Sequence, residues 1–261
     1  MKAFGFVLLF VATNASVLLL YPLTPGRVLA AGALFTGGTT AIVFLLFHPR
    51  SRWLAPSQNR VPCGSRPCVA LTFDDGPSPD ITPRVLAILR EKRVPATFFC
   101  VGSRVDQRPD LARLVVHDGH VIGNHTYSHP ALFCFLTPRR LRREIQRAQD
   151  SIVRATGVRP SLFRPPVGSR HAWLAPTLAR EALALVLWQL RSFDTRATTA
   201  DALLARLLDQ VQPGGIVLLH DRSGAGAEAM LTALPELIGR LKDRGYQFVS
   251  VGRPLPAGLP E

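Results

Sequence analysis

Val69-Ala70-Leu71-Thr72-Phe73-Asp74-Asp75-Gly76 is the stretch on which the reading of this chain turns. Val69–Phe73 reads as a short strand, and it runs directly into two adjacent carboxylates and a glycine. In folds with parallel strands, chemistry collects where strands end at their carboxyl side. The Asp74-Asp75 step therefore marks a candidate site as well as a strand end.

Working outward from that strand, short apolar runs alternate with amphipathic ones. Val69–Phe73, Thr97–Val101, Val121–Gly123, Leu185–Leu190, Ile216–His220 and Tyr246–Val249 read as strands. Thr82–Lys92, Pro109–Asp118, Pro138–Thr156, Ala172–Leu183, Thr199–Gln210 and Ala227–Arg244 have helical period. Thr137 ahead of Pro138 makes an N-cap with proline at the first helical position. This alternation predicts an α/β fold, a parallel sheet or barrel. No internal repeat or low-complexity segment interrupts it.

Two further strings carry titratable groups: His125-Thr126-Tyr127-Ser128-His129 and Leu218-Leu219-His220. Imidazoles four residues apart can share one helical face, and His220 ends an apolar strand. One carboxylate and two histidines can hold a divalent ion while leaving positions open. The second carboxylate and the third histidine remain for moving protons. Arg164-Pro165-Pro166-Val167-Gly168 lies between the paired histidines and His220. His48, His117, His120 and His171 lack any such pattern and read as ordinary surface or core residues.

In this order and spacing the strings resemble the motifs of the polysaccharide deacetylase family, the NodB-homology or carbohydrate esterase family 4 domain. The resemblance covers roughly Val69 to Val251. It implies a distorted (β/α) barrel in which Asp75, His125 and His129 hold one divalent metal ion. Zn²⁺ is the default for this donor set, and Co²⁺, Ni²⁺ or Mn²⁺ fit the same ligands. It further implies that Asp74 is the general base toward a water on that ion and that His220 is the acid protonating the leaving amine. Arg164 would pair with Asp74 and keep it ionised and aimed. A backbone N–H near Val167 would join the ion in stabilising the oxyanion, and Tyr127 would line the edge of the site.

Two departures from the family pattern stand out. Val167 occupies a position that is usually aromatic. The fourth motif, usually an Asp with a Trp four residues later, maps to Arg191 and Thr195. The carboxylate that orients the acid histidine is then missing, unless Asp194 has taken its place.

The front of the chain is a separate matter. Phe4 to Tyr21 and Val28 to Phe47 are almost unbroken apolar runs, each near the length that crosses a hydrocarbon core of roughly 30 Å. With Pro22, Pro25 and Gly26 between them, residues 1–47 read as a transmembrane helical hairpin, against the competing reading of a cleaved signal peptide. Residues 48–67 then read as a linker, 68–253 as the deacetylase-like domain and 254–261 as a tail. Lys2 before the first run, and Arg50, Arg52, Arg60 and Arg66 after the second, favour both ends in the cytoplasm. The expectation is a multi-pass protein of the bacterial inner membrane with a cytoplasmic domain, a periplasmic placement staying open.

The formal charge is +13, carried overwhelmingly by arginine. It fits either attraction to anionic lipid or phosphate, or a basic solvated surface. No arginine run is interleaved with aromatics, which sets nucleic acid aside as a partner. Cys63 and Cys68 flank a short turn and are able to pair in an oxidising compartment; Cys100 and Cys134 read as buried thiols.

Together these features predict a metal-dependent hydrolase that removes an N-acyl group, acetyl or formyl, from an amino sugar in a polysaccharide or lipid-linked glycan. Two alternatives stand beside it. One is O-deacetylation by the same attack. The other, motivated by Arg191 and Thr195, is a non-catalytic membrane protein binding a glycan or lipid carrier. Oligomeric state is not written in the sequence.

Overall fold

The computed structural model describes residues 24–47 and 55–252. Eight strands form one sheet: β1 (Cys68–Asp74), β2 (Thr97–Cys100), β3 (Val121–Asn124), β4 (Leu162–Phe163), β5 (Ala184–Leu185), β6 (Leu190–Arg191), β7 (Gly215–His220) and β8 (Gln247–Phe248). They lie in the order β5-β4-β3-β2-β1-β7-β6, with β8 added to the start of β1. All the ladders are parallel.

β1 is central and buried along its whole length. Its side chains alternate between two apolar layers, as a period of two requires. Val69, Leu71 and Phe73 join the buried cluster that includes Leu89 and Leu234 of the surrounding helices. Phe73 stacks on Phe98 with ring centroids 5.1 Å apart. Cys68 and Ala70 turn to the second cluster, with Phe99, Leu162, Ile216 and Leu218. Thr72 and Asp74 continue that inner face, where a buried arginine replaces apolar filling.

The expected strand Leu185–Leu190 is divided. Its two ends belong to β5 and β6, at opposite ends of the strand order. Between them Val186 N donates to Phe163 O (2.9 Å) and Gln189 N to Ile216 O (2.9 Å), so this segment crosses from β4 to β7, between the two edges of a half-barrel sheet. An apolar run cannot reveal from periodicity that it changes partners midway. β4, only two residues long, gave no pattern to read. The helices Thr82–Lys92 and Pro138–Thr156 form as expected, and Thr137 Oγ1 accepts from Arg140 N at 3.4 Å. A further helix, Gly102–Gln107, begins where Val101 leaves β2 to bond Gly76 O at 2.9 Å.

Part of the expected linker 48–67 belongs to the barrel. Gln58 N donates to Leu185 O (2.9 Å) and Leu187 N to Gln58 O (2.8 Å), while Val61 N bonds Gly214 O (2.8 Å). Cys63 and Cys68 are joined by a disulfide, their Cα atoms 5.5 Å apart. Cys100 is buried as expected; Cys134 is only partly so.

The second apolar run forms a helix, Pro25–Phe47, with Leu29, Leu34, Phe35 and Phe44 exposed. Among the described residues no helix is long and apolar enough to cross a membrane, so the structure does not support the expected hairpin. Its first run, and the tail 254–261, lie outside the described residues.

Candidate active site

Parallel pairing places the chemical strings together. In register, Asp74 of β1 sits beside His220 of β7 on one side and Phe99 of β2 on the other. Asn124, at the end of β3, precedes the histidine loop. Its side chain accepts from Thr126 N (2.9 Å) and donates to Ile145 O (2.9 Å), tying that loop to the helix Pro138–Thr156. Glu144 of the same helix accepts from Tyr127 N (3.1 Å) and Ser128 N (2.8 Å). His125 and His129 are therefore joined by a turn, with positive φ at Thr126 (66°) and His129 (52°), and do not share a helical face.

Asp75, His125 and His129 converge. Asp75 Oδ1 lies 3.3 Å from His125 Nε2 and 3.0 Å from His129 Nε2. Each residue offers one donor atom, and the three atoms lie within 4.8 Å of one another. The His125 Nδ1–H donates to Arg164 O at 2.7 Å, which fixes the ring and leaves Nε2 as a lone-pair donor toward the other two. Burial alone would raise the Asp75 carboxyl; the two imidazoles outweigh it and hold the group well below the carboxylate range. Burial works against charging His125, yet Asp74 and Asp75 lift its pKa above the ordinary imidazole value. Two nitrogens and one carboxylate oxygen in this array fit a divalent ion with open positions.

Asp74 is buried and held by Arg164, whose Nη1 donates to Asp74 Oδ1 at 2.6 Å. Arg164 is itself fully buried, and all three of its guanidinium nitrogens donate hydrogen bonds. It donates to Thr72 Oγ1 (2.8 Å), Val186 O (3.3 Å) and Leu187 O (3.1 Å), and its guanidinium lies 4.1 Å over the Phe99 ring. Desolvation lowers its pKa, and the Asp74 charge offsets part of that loss.

On the other side, the His220 Nδ1–H donates to Asp194 Oδ1 at 2.7 Å, and His220 N donates to Asp194 Oδ2 at 2.8 Å. Ser192 Oγ also donates to Asp194, at 2.7 Å. Asp194, three residues beyond the fourth-motif position held by Arg191, thus fixes the His220 ring. Burial disfavours the His220 imidazolium, but the Asp194 bond and the nearby carboxylates raise its pKa above the ordinary value.

Asp74, Asp75, His125, His129 and His220 border one cavity of about 160 Å³, which Val167, Arg191 and Arg222 also line. Val167 takes positive φ (50°) and is half exposed. Gly168, next to it at φ 69°, packs against the Trp188 ring where any Cβ would collide. Tyr127 is not among the lining residues; its ring lies under the Arg147 guanidinium, 3.6 Å from the centroid.

Two residues escaped the sequence reading. Arg222 Nε lies 2.8 Å from Asp75 Oδ2, a close ion pair although the N–H does not point along the line between them. Asp221 is buried against Gly76, which has no room for a side chain there. It accepts from Thr82 Oγ1 at 2.6 Å, its Oδ1 has no partner, and burial raises its pKa to about 7. They are the two residues after His220, and a carboxylate next to a candidate acid was the available signal.

The family model described as polysaccharide deacetylase matches residues 62–183. A chitooligosaccharide deacetylase of Bradyrhizobium is 37% identical, over 72% of this chain and 89% of its own length. The chain belongs to the polysaccharide deacetylase family. A peptidoglycan-N-acetylglucosamine deacetylase of Bacillus cereus is 33% identical over 70% of this chain and 66% of that protein. A solved peptidoglycan N-acetylglucosamine deacetylase superposes with a TM-score of 0.69 at 32% identity, covering 72% of this chain and 87% of the other. The chain spans 38% to 66% of the length of the peptidoglycan deacetylases among its curated relatives.

Proposed function

We propose that this chain is a metal-dependent hydrolase that removes the acetyl group from an N-acetylated amino sugar within a glycan. One observation carries the reading: two separately held proton-transfer groups, Asp74 on Arg164 and His220 on Asp194, border the same cavity as the Asp75–His125–His129 trio. The deacetylase relatives support the reaction class.

A divalent ion held by Asp75, His125 and His129 would supply Lewis acidity, lowering the pKa of a water toward neutrality. Asp74 accepts the proton of the attacking water. Arg164 holds one Asp74 oxygen, which leaves the other aimed at the cavity. As the water oxygen bonds to the acyl carbon, the Val167 N–H offers a donor to the developing oxyanion; one such donor contributes about 3–4 kcal/mol. His220 protonates the nitrogen as the C–N bond breaks, releasing acetate and a free amine. Asp194 fixes the ring so that Nε2 faces the cavity and keeps the imidazole protonated to higher pH.

The finer substrate reading, a glycan carried at a membrane, rests on the exposed apolar residues of the helix Pro25–Phe47. The Cys63–Cys68 disulfide argues that the domain faces an oxidising compartment, opposite to the side that the basic residues after the second apolar run favour. The test is product analysis. The zinc-loaded chain, incubated with a chitooligosaccharide and with peptidoglycan, should release acetate and free amine in equal amounts. Acetate without new amine would indicate ester cleavage; no acetate from either would refute the proposal.

A further inference from the structure

Charge is distributed unevenly around the cavity. Arg191, in the position where the family pattern has an acid, lines it together with Arg222. Arg191 does not stand alone. Its guanidinium lies 5.0 Å from the centroid of the Phe193 ring, and those of Arg196 and Arg206 lie 5.2 Å and 4.3 Å from the same ring. Phe193 takes positive φ (63°).

Among the described residues none of these three arginines forms an ion pair. Asp194, the nearest acid in sequence, is occupied by His220 and Ser192. Arg191 Nε is shielded from solvent and has no hydrogen-bond partner. Its pKa is lowered, first by burial and then by Arg196. Stacking on Phe193 and Trp188 engages the face of the guanidinium and leaves its N–H donors unused. A guanidinium with unused donors at the edge of a reaction cavity is suited to a planar or tetrahedral oxyanion.

We propose that Arg191, with Arg222 on the same cavity, selects amino sugars that carry an oxyanion, carboxylate or phosphate, within one sugar ring of the scissile N-acyl bond. The inference rests on the deacetylase reading above and adds the substrate's charge to it. Val167 and Thr195 stand where the family pattern places aromatic rings. In their place, binding energy would come from the charged contact. Hydrogen bonds to charged groups contribute enough for a preference of about 10- to 100-fold.

The test compares kcat/KM of the zinc-loaded full chain on three substrates. These are a neutral chitooligosaccharide, a peptidoglycan glycan fragment whose muramic residue bears a carboxylate, and N-acetylglucosamine 1-phosphate. Calorimetric binding of the same three compounds to metal-free protein is measured alongside. The wild type should prefer at least one anionic substrate over the neutral one by about tenfold or more. Arg191→Gln should bring that ratio close to one, acting through KM, while Arg191→Lys should retain part of it. Which anionic substrate is preferred identifies carboxylate or phosphate as the recognised group. A ratio near one in the wild type, or a ratio unchanged in a folded Arg191→Gln protein, overturns the inference while deacetylation itself stands. If no substrate is turned over, the deacetylase reading fails. The charge preference is then decided by binding: anion affinity lost in Arg191→Gln supports it, and equal affinity in both proteins refutes it.

Discussion

Asp194 holds His220 at two points, accepting from the ring Nδ1 at 2.7 Å and from the backbone N at 2.8 Å. The carboxylate therefore sets both the rotamer and the protonation of the residue at the end of β7. It does so from a position three residues beyond the one where the motif pattern would have sought it.

Asp194→Asn tests that link through a pH profile. Asp194 raises the His220 pKa against the opposing effect of burial, so the imidazolium persists to higher pH than it otherwise would. Removing the charge lowers that pKa. The alkaline limb of kcat/KM should move to lower pH, with a loss of about 10²-fold or more near neutrality. An unmoved alkaline limb would mean that His220 is not the acid.

Arg164 is expected to matter for folding as much as for turnover. Arg164→Met leaves Asp74 buried without its cation, a change that typically costs about 3–5 kcal/mol. Chemical denaturation should show a loss of that order. The double variant Arg164→Met/Asp74→Asn should recover part of it, because the unpaired charge is gone. A single variant as stable as wild type would contradict the pairing.

Asp221 gives the opposite sign of pH dependence from a salt-bridged acid. Folded, it keeps its proton up to about pH 7, whereas the unfolded chain releases it near the ordinary value of 3.8. Folding therefore takes up a proton between those values, and stability is lost as pH rises through that window. In metal-free protein, Asp221→Asn should gain in Tm relative to wild type as pH rises from 5 to 8, by about 2 °C or more. Parallel curves would exclude an ionisation burden at this carboxyl.

Alkylation counts the cysteines. Four are present, and with Cys63 and Cys68 bonded only Cys100 and Cys134 are open to labelling. Protein denatured without reductant, taken directly from the cells that make it, should take two labels, rising to four after reduction. Four labels before reduction would place the domain in a reducing compartment.

Most of the sheet was legible because its strands and helices each keep one set of neighbours along their length and one period. Val69–Phe73 alternates between two apolar layers, and the helix Pro138–Thr156 carries its own cap. What was not legible changes partners or is too short for a period: the segment 184–191, divided between the two ends of the sheet, and the two-residue β4. The candidate site was legible where donors are contiguous in sequence, as at Asp74-Asp75 and His125–His129. Asp194, Arg191 and Arg222 owe their roles to which loop packs beside which strand end. Residue type alone could mark them but could not assign them.

The central claim is that the Asp75–His125–His129 trio and Asp74 act together in hydrolysing an N-acetyl bond. The most direct measurement is acetate release from an acetylated glycan by chelator-stripped protein before and after zinc is restored. It is run on wild type and Asp74→Asn, with bound metal quantified in each. The account expects no release without metal and recovery on reconstitution for wild type. It also expects one bound equivalent but at least about 10²-fold less release for Asp74→Asn. Full activity in the stripped wild type, or in metal-loaded Asp74→Asn, would contradict it.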